Sequence, residues 1–128
     1  MLAKDTAPAG ITQKRLEQYA REIRSDKKKF LEAGFTELFT SPARRIQIFF
    51  TDFWGMGKTY NRPGTSDGNW ILRINNNFEN DYYKAVAEGK APNLAQIVAN
   101  ALRHRGLEKD NEELLEDLDS SAKILNEK

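Results

Sequence analysis

Apolar residues recur at helical spacing along most of this chain. Leu16, Tyr19, Ala20 and Ile23 follow steps of three, one and three, which predicts an amphipathic helix with Thr12 as its N-cap. Phe30, Leu31, Gly34, Phe35, Leu38 and Phe39 repeat the pattern in a second helix. Lys27, Lys28 and Lys29 form a solvated turn at its start, and Ser41-Pro42 stops it, because a residue before proline is pushed out of the α region. Helical patterns return over Phe78–Glu88 and over Asn93–Arg105. In the latter, Leu94, Ile97, Val98, Ala101 and Leu102 share one face, and Gly106 is placed to end it. Leu114, Leu115, Leu118, Ala122 and Leu125 make a narrow apolar stripe in the last acidic stretch, as in a peripheral helix.

Two segments break this periodicity. Ile46-Gln47-Ile48-Phe49-Phe50 is β-branched and aromatic at nearly every position, and it reads as a strand buried on both faces. A strand must pair, and no second convincing strand exists in the sequence to pair with it. Residues 55–70 hold Gly55, Gly57, Pro63, Gly64 and Gly68, hence a long irregular loop. Loops of that length are commonly functional, and Tyr60, Asn61, Arg62, Asn69 and Trp70 suggest a shaped binding surface. Trp70–Ile74 reads as a short extended piece or the start of a helix. The expected class is α/β and predominantly helical. Residues 1–10, with Pro8 and Gly10, form a flexible tail, 11–107 the main body, and 108–128 an acidic C-terminal helix.

Composition narrows the chemistry. The 128 residues include no cysteine and a single histidine, His104, which removes disulfides, thiolate chemistry and His-rich zinc sites. No run approaches the roughly 20 apolar residues of a membrane span, and the opening residues lack the apolar core of a secretory signal. A cytoplasmic protein with no membrane partner is expected. The net charge of +1 divides unevenly: residues 108–128 carry eight acidic and three basic side chains, a net of −5, leaving +6 on residues 1–107. That excess is too diluted by acids to form the dense basic stripe of a nucleic-acid binder, so no nucleic-acid partner is expected. The chain is also shorter than the roughly 200 residues that a (β/α)8 barrel requires.

Few residues suit catalysis. His104 closes a basic helix end, where a cation complements the helix dipole. Gly57-Lys58-Thr59 resembles the end of a phosphate-binding loop, but Asp52 occupies the position of its first glycine. Asp52 follows the predicted strand directly, where a barrel strand opens into its active-site loop; capping or anchoring the loop is the simpler role. Phe53, Trp54, Tyr60 and Trp70 offer aromatic faces for sugar rings or for a core, and Asn61 and Asn69 offer amide donors and acceptors to match hydroxyls.

The runs Ser41–Met56, Tyr60-Asn61-Arg62-Pro63-Gly64-Thr65 and Gly68-Asn69-Trp70-Ile71-Leu72-Arg73 resemble the C-terminal part of the 4-α-glucanotransferases. These are the amylomaltases or disproportionating enzymes of glycoside hydrolase family 77. In that family the last barrel strand leads through a Gln-Asp or Thr-Asp pair to an Asn-x-Pro-Gly-Thr loop and then Asn-Trp-x-x-Arg. Here Thr51-Asp52, Asn61–Thr65 and Asn69–Arg73 match that form, and Asn93–Gly106 resembles a closing helix of some members. The similarity spans residues 36–106.

It implies the last βα unit and trailing helices of a (β/α)8 TIM barrel, too short to close a barrel alone. The implied activity is transfer of α-1,4-glucan segments to acceptor sugars by a retaining mechanism with two carboxylates. The motifs that carry those carboxylates have no counterpart here, so no catalytic residue is assigned and the isolated chain is expected to be inactive. By resemblance, Asn61 and Pro63 face glucan at the mouth of the barrel, Trp70 supports that loop and Asp52 anchors it; Asn69 is counted with them as a substrate-binding residue. The expected partners are an α-glucan or maltooligosaccharide, and either the missing N-terminal part of the barrel or a second copy of the chain. No cofactor or metal is expected. The competing expectation is a stand-alone, non-catalytic carbohydrate-binding or interaction module built on Tyr60, Asn61 and Trp70.

Overall fold

The computed structural model describes residues 2–7 and 10–127, with the backbone alone described at Asp5. Among them the chain forms α1 (Leu2–Thr6), α2 (Gln13–Ser25), α3 (Lys27–Thr40), α4 (Phe50–Phe53), α5 (Phe78–Ala87), α6 (Leu94–His104) and α7 (Glu112–Glu127), and no strand. None of these helices is long and apolar enough to cross a membrane.

The helix ends follow local chemistry. Thr12 caps α2 by accepting from the Arg15 N–H, as its sequence position predicts. Asp26 ends α2 and starts α3: its own N–H donates to the Glu22 carbonyl, and its carboxylate accepts from the Lys29 N–H at 3.1 Å. A Lys29–Glu22 ion pair spans the same corner. At the other end of α6, the Gly106 N–H donates to Arg103 and the Leu107 N–H to Leu102, the paired bonds of a Schellman cap. α4 ends the same way, with bonds from Gly55 to Asp52 and from Met56 to Thr51.

α3 lies on α6, α6 on α7, and α5 on α7, while α1 wedges among α2, α3 and α6. The buried apolar side chains are mostly small: Ala33, Ala91, Ala99, Ala101 and Ala122 join Ile23, Val86, Ile97 and Leu115. Small side chains let helix axes approach closely, and at the point of approach a polar residue holds three helices. Asn93 is fully buried. Its Oδ1 caps α6 by accepting from the Gln96 N–H at 3.2 Å. Its Nδ2 donates to the Ala122 carbonyl at 2.9 Å and to Asn126 Oδ1 at 3.2 Å, both on α7. Its backbone N–H donates to Glu32 Oε1 on α3 at 3.0 Å. Beside it the Tyr82 hydroxyl donates to the Pro92 carbonyl at 2.9 Å and accepts from the Leu94 N–H at 3.0 Å, tying α5 to the start of α6.

Two expectations are corrected. Ile46–Phe50 is not a strand: residues 46–49 are irregular and Phe50 opens α4. Ile46, Ile48 and Phe50 are half-buried while Gln47 and Phe49 are exposed, so the segment is covered on one side only. The physical reason is the one that made the strand odd in the sequence. A strand's N–H and C=O groups need a neighbouring strand, and without one the chain takes the local bonds of a helical turn, Asp52 and Phe53 N–H to the Phe49 carbonyl. The expected α/β class is therefore realised as helix alone among the described residues. The second correction concerns the first ten residues. The described part of the expected tail is helical, and Thr6 and Ala7 are buried. Thr6 Oγ1 donates to the Leu2 carbonyl at 2.7 Å, which satisfies the hydroxyl inside the fold. Met1, Pro8 and Ala9, also assigned to that tail, lie outside the described residues. Trp70–Ile74 is irregular, neither strand nor helix.

Glu32 links this packing to pH. Burial raises its carboxyl above the ordinary carboxylate range, with the Asn93 N–H bond and then Lys28 opposing. A carboxyl whose folded-state affinity for a proton exceeds its unfolded one favours the fold in acid, and that contribution is lost as pH rises through the raised value. Glu32→Gln, which keeps an oxygen for Asn93, is expected to remove this slope from denaturation midpoints measured across acidic pH. Glu32→Ala leaves the Asn93 N–H unpaired and is expected to cost about 1–3 kcal/mol. Gly55 gives a second test. Its φ is +61°, and a Cβ there would stand 1.9 Å from the Lys90 carbonyl oxygen. Gly55→Ala is expected to destabilise by at least about 2 kcal/mol, combining left-handed strain with a backbone clash.

Candidate functional site

The long loop after α4 is irregular in path but internally fixed. Arg62-Pro63-Gly64-Thr65 forms a turn closed by the Thr65 N–H to the Arg62 carbonyl at 3.2 Å. Proline in the second position and Gly64 at φ +80° in the third are what a type II turn demands. Thr65 Oγ1 donates to the same carbonyl at 2.8 Å. Asn69 then fastens the two limbs together. Its Oδ1 accepts from the Arg62 N–H at 2.8 Å, and its Nδ2 donates to the Thr65 carbonyl at 2.7 Å and to Thr65 Oγ1 at 3.2 Å. At the neck the Trp70 N–H donates to the Tyr60 carbonyl at 2.6 Å. The Arg73 guanidinium donates to the carbonyls of Trp70 and Leu72.

Aromatic rings anchor this closed loop to the body. Phe49 packs on Tyr60 with centroids 4.4 Å apart, and Tyr60 packs on Trp70 at 5.3 Å. Trp70 is 58% exposed and has a φ of +61°, a left-handed conformation that a bulky residue rarely adopts. The indole is thus displayed on a supported backbone. Pro63 is exposed at the turn, and Asn61 is half-buried between the turn and Tyr60 in sequence.

The loop therefore brings Asn61, Pro63, Asn69 and Trp70 together, with distinct roles. Asn69, expected to bind substrate, instead spends both ends of its amide inside the loop and so shapes the turn. Asp52 stands apart from this set. It sits in the single turn of α4 and lines a groove of about 590 Å3 with Phe30, Leu31, Phe35 and Leu38 of α3. The contacts that hold the loop come from Phe49 and from within residues 60–73. His104 lies in the last turn of α6, as expected, with its Nε2 buried and lacking a hydrogen-bond partner among the described residues. Its neighbour Arg103 pairs with Asp119 on α7.

An exposed indole face backed by a second ring, with a preformed turn and an amide alongside, suits a flat ring that has an apolar face and a hydroxyl rim. Asp67 is the one carboxylate in residues 55–77, so the loop has no acid–base pair. Among the described residues no cluster of His, Cys, Asp or Glu is arranged to hold a metal ion. Comparison with protein families, with curated proteins and with solved structures yields no match for this chain.

The sequence reading overlooked the Asn93–Glu32–Tyr82 centre. Pro92-Asn93 before an apolar helix was a usable N-cap signal, but the partners on α3 and α7 lie far away in sequence. It also missed the row of rings Phe35, Phe53, Trp54, Tyr82 and Tyr83, whose successive centroids lie 5.6–6.4 Å apart.

Asn69→Ala is expected to release the loop without unfolding the body. Amide exchange at Arg62 and Trp70 should accelerate at least tenfold, while the melting temperature moves by less than about 3 °C, because the opening is local.

Proposed function

We propose that this chain is the C-terminal portion of a 4-α-glucanotransferase that acts on α-1,4-glucans and supplies a glucan-binding loop in place of catalytic carboxylates. In this role it is the last βα segment of a TIM barrel, and it is completed by an N-terminal polypeptide that provides the neighbouring strands and the reacting groups. The observation that carries the reading is Trp70: an exposed indole packed at a tilt against Tyr60, in a strained backbone conformation, on the loop whose Asn-x-Pro-Gly-Thr and Asn-Trp-x-x-Arg runs resemble the family's. Glucose rings stack on such faces, and the Asn61 amide can bond their hydroxyls. The half-covered, unpaired segment before α4 supports the same reading, since it is free to join a sheet from another polypeptide.

One observation favours the second reading, a stand-alone carbohydrate-binding module. The loop is held by its own hydrogen bonds and by Phe49, so its shape needs no second polypeptide. The two readings share the sugar contact and part over activity, which the first restores only when the N-terminal portion is added.

In the Trp54→Phe variant Trp70 is the sole tryptophan. Titration with maltotriose or maltoheptaose is expected to change its emission saturably, and Trp70→Ala with Trp54 retained should abolish sugar binding while the helical circular dichroism stays constant. A flat titration removes the shared basis of both readings.

A further inference from the structure

A second concave site lies apart from the Tyr60–Arg73 loop, which contributes no residue to it. Phe53, Trp54, Phe78, Tyr82 and Tyr83 line a groove of about 340 Å3, with Glu79 as its single charged residue. Leu94 completes the lining. The rings meet steeply: Trp54 and Tyr82 lie 5.6 Å apart at 62°, Phe53 and Trp54 6.4 Å apart at 66°, and Tyr82 and Tyr83 5.9 Å apart at 54°. Steep contacts make walls where parallel ones would make a flat stack.

Two walls are fixed from behind. Tyr82 is held by its hydroxyl bonds to Pro92 and Leu94, and Trp54 immediately precedes the capping Gly55 packed on Lys90. Tyr83 and Phe78 stay partly open to solvent, which leaves the groove accessible.

We infer that this groove binds a small quaternary ammonium ion of the trimethylammonium class. Ring faces carry negative charge density and attract a cation, most strongly one with a weakly hydrated, methylated surface. Glu79 adds the formal counter-charge, and no basic side chain lines the groove. A neutral apolar ligand would gain from the rings but nothing from the neighbouring carboxylate. A sugar would find an almost wholly apolar lining for its hydroxyls, with the Tyr82 hydroxyl already bonded to Pro92 and Leu94. The methylated cation uses both features at once.

Binding to the full chain is measured by NMR of the tryptophan indole protons during titration with tetramethylammonium, choline and the neutral isostere 3,3-dimethylbutan-1-ol. Both cations are expected to shift the Trp54 signal and saturate, with the neutral compound roughly fivefold weaker or worse. Glu79→Gln and Tyr83→Leu, both at exposed positions, should each weaken choline roughly threefold with circular dichroism unchanged. Phosphocholine binding as tightly as choline would identify a lipid headgroup as the source of the same cation. Equal affinity for the neutral isostere, no cation-dependent shift, or undiminished binding by both variants overturns the inference.

Discussion

The buried amide of Asn93 is the contact on which the arrangement of helices rests. A primary amide removed from water must find partners for its oxygen and its hydrogens, and each unmade bond costs about 1–3 kcal/mol. The side-chain amide finds its partners on α6 and α7 and the main-chain N–H finds its partner on α3, so all of them are met only when the three helices converge in one relative placement. The apolar side chains around it are largely alanines, which attract weakly and specify orientation poorly. Burial brings the helices together; the polar centre selects how they sit.

A series of dependent contacts runs outward from that centre. The residues just before α6 hold Tyr82 through Pro92, and Lys90 in the same connection receives Gly55. Gly55 ends α4, and α4 begins at Phe49's carbonyl, whose residue supports Tyr60 and through it Trp70. The loop thus inherits its footing from the helical body, whereas its internal form comes from Asn69 and the Pro63-Gly64 turn.

Much of the helical body was legible because helix signals are local. Thr12 and Gly106 act on neighbours a few residues away, and the apolar stripes of α2, α6 and α7 point to the buried faces that are found. Ile46–Phe50 was misread because β-branched and aromatic content reports how a residue would fit a pleated surface, without supplying the surface. The irregular loop of residues 55–70 was legible from its glycines and Pro63. The clasp made by Asn69 was not, since an asparagine that bonds seven residues back looks the same in sequence as one that faces solvent. The long reach from Glu32 to Asn93, 61 residues, was equally out of view.

Trp70 has one more implication. In a left-handed conformation a β-carbon carries a backbone penalty that glycine escapes, smaller for asparagine and aspartate than for bulky or β-branched residues. The main chain at this position therefore works against tryptophan, and only the contacts of the ring oppose that preference. A change to glycine would relax the loop at the same stroke that removes its exposed ring.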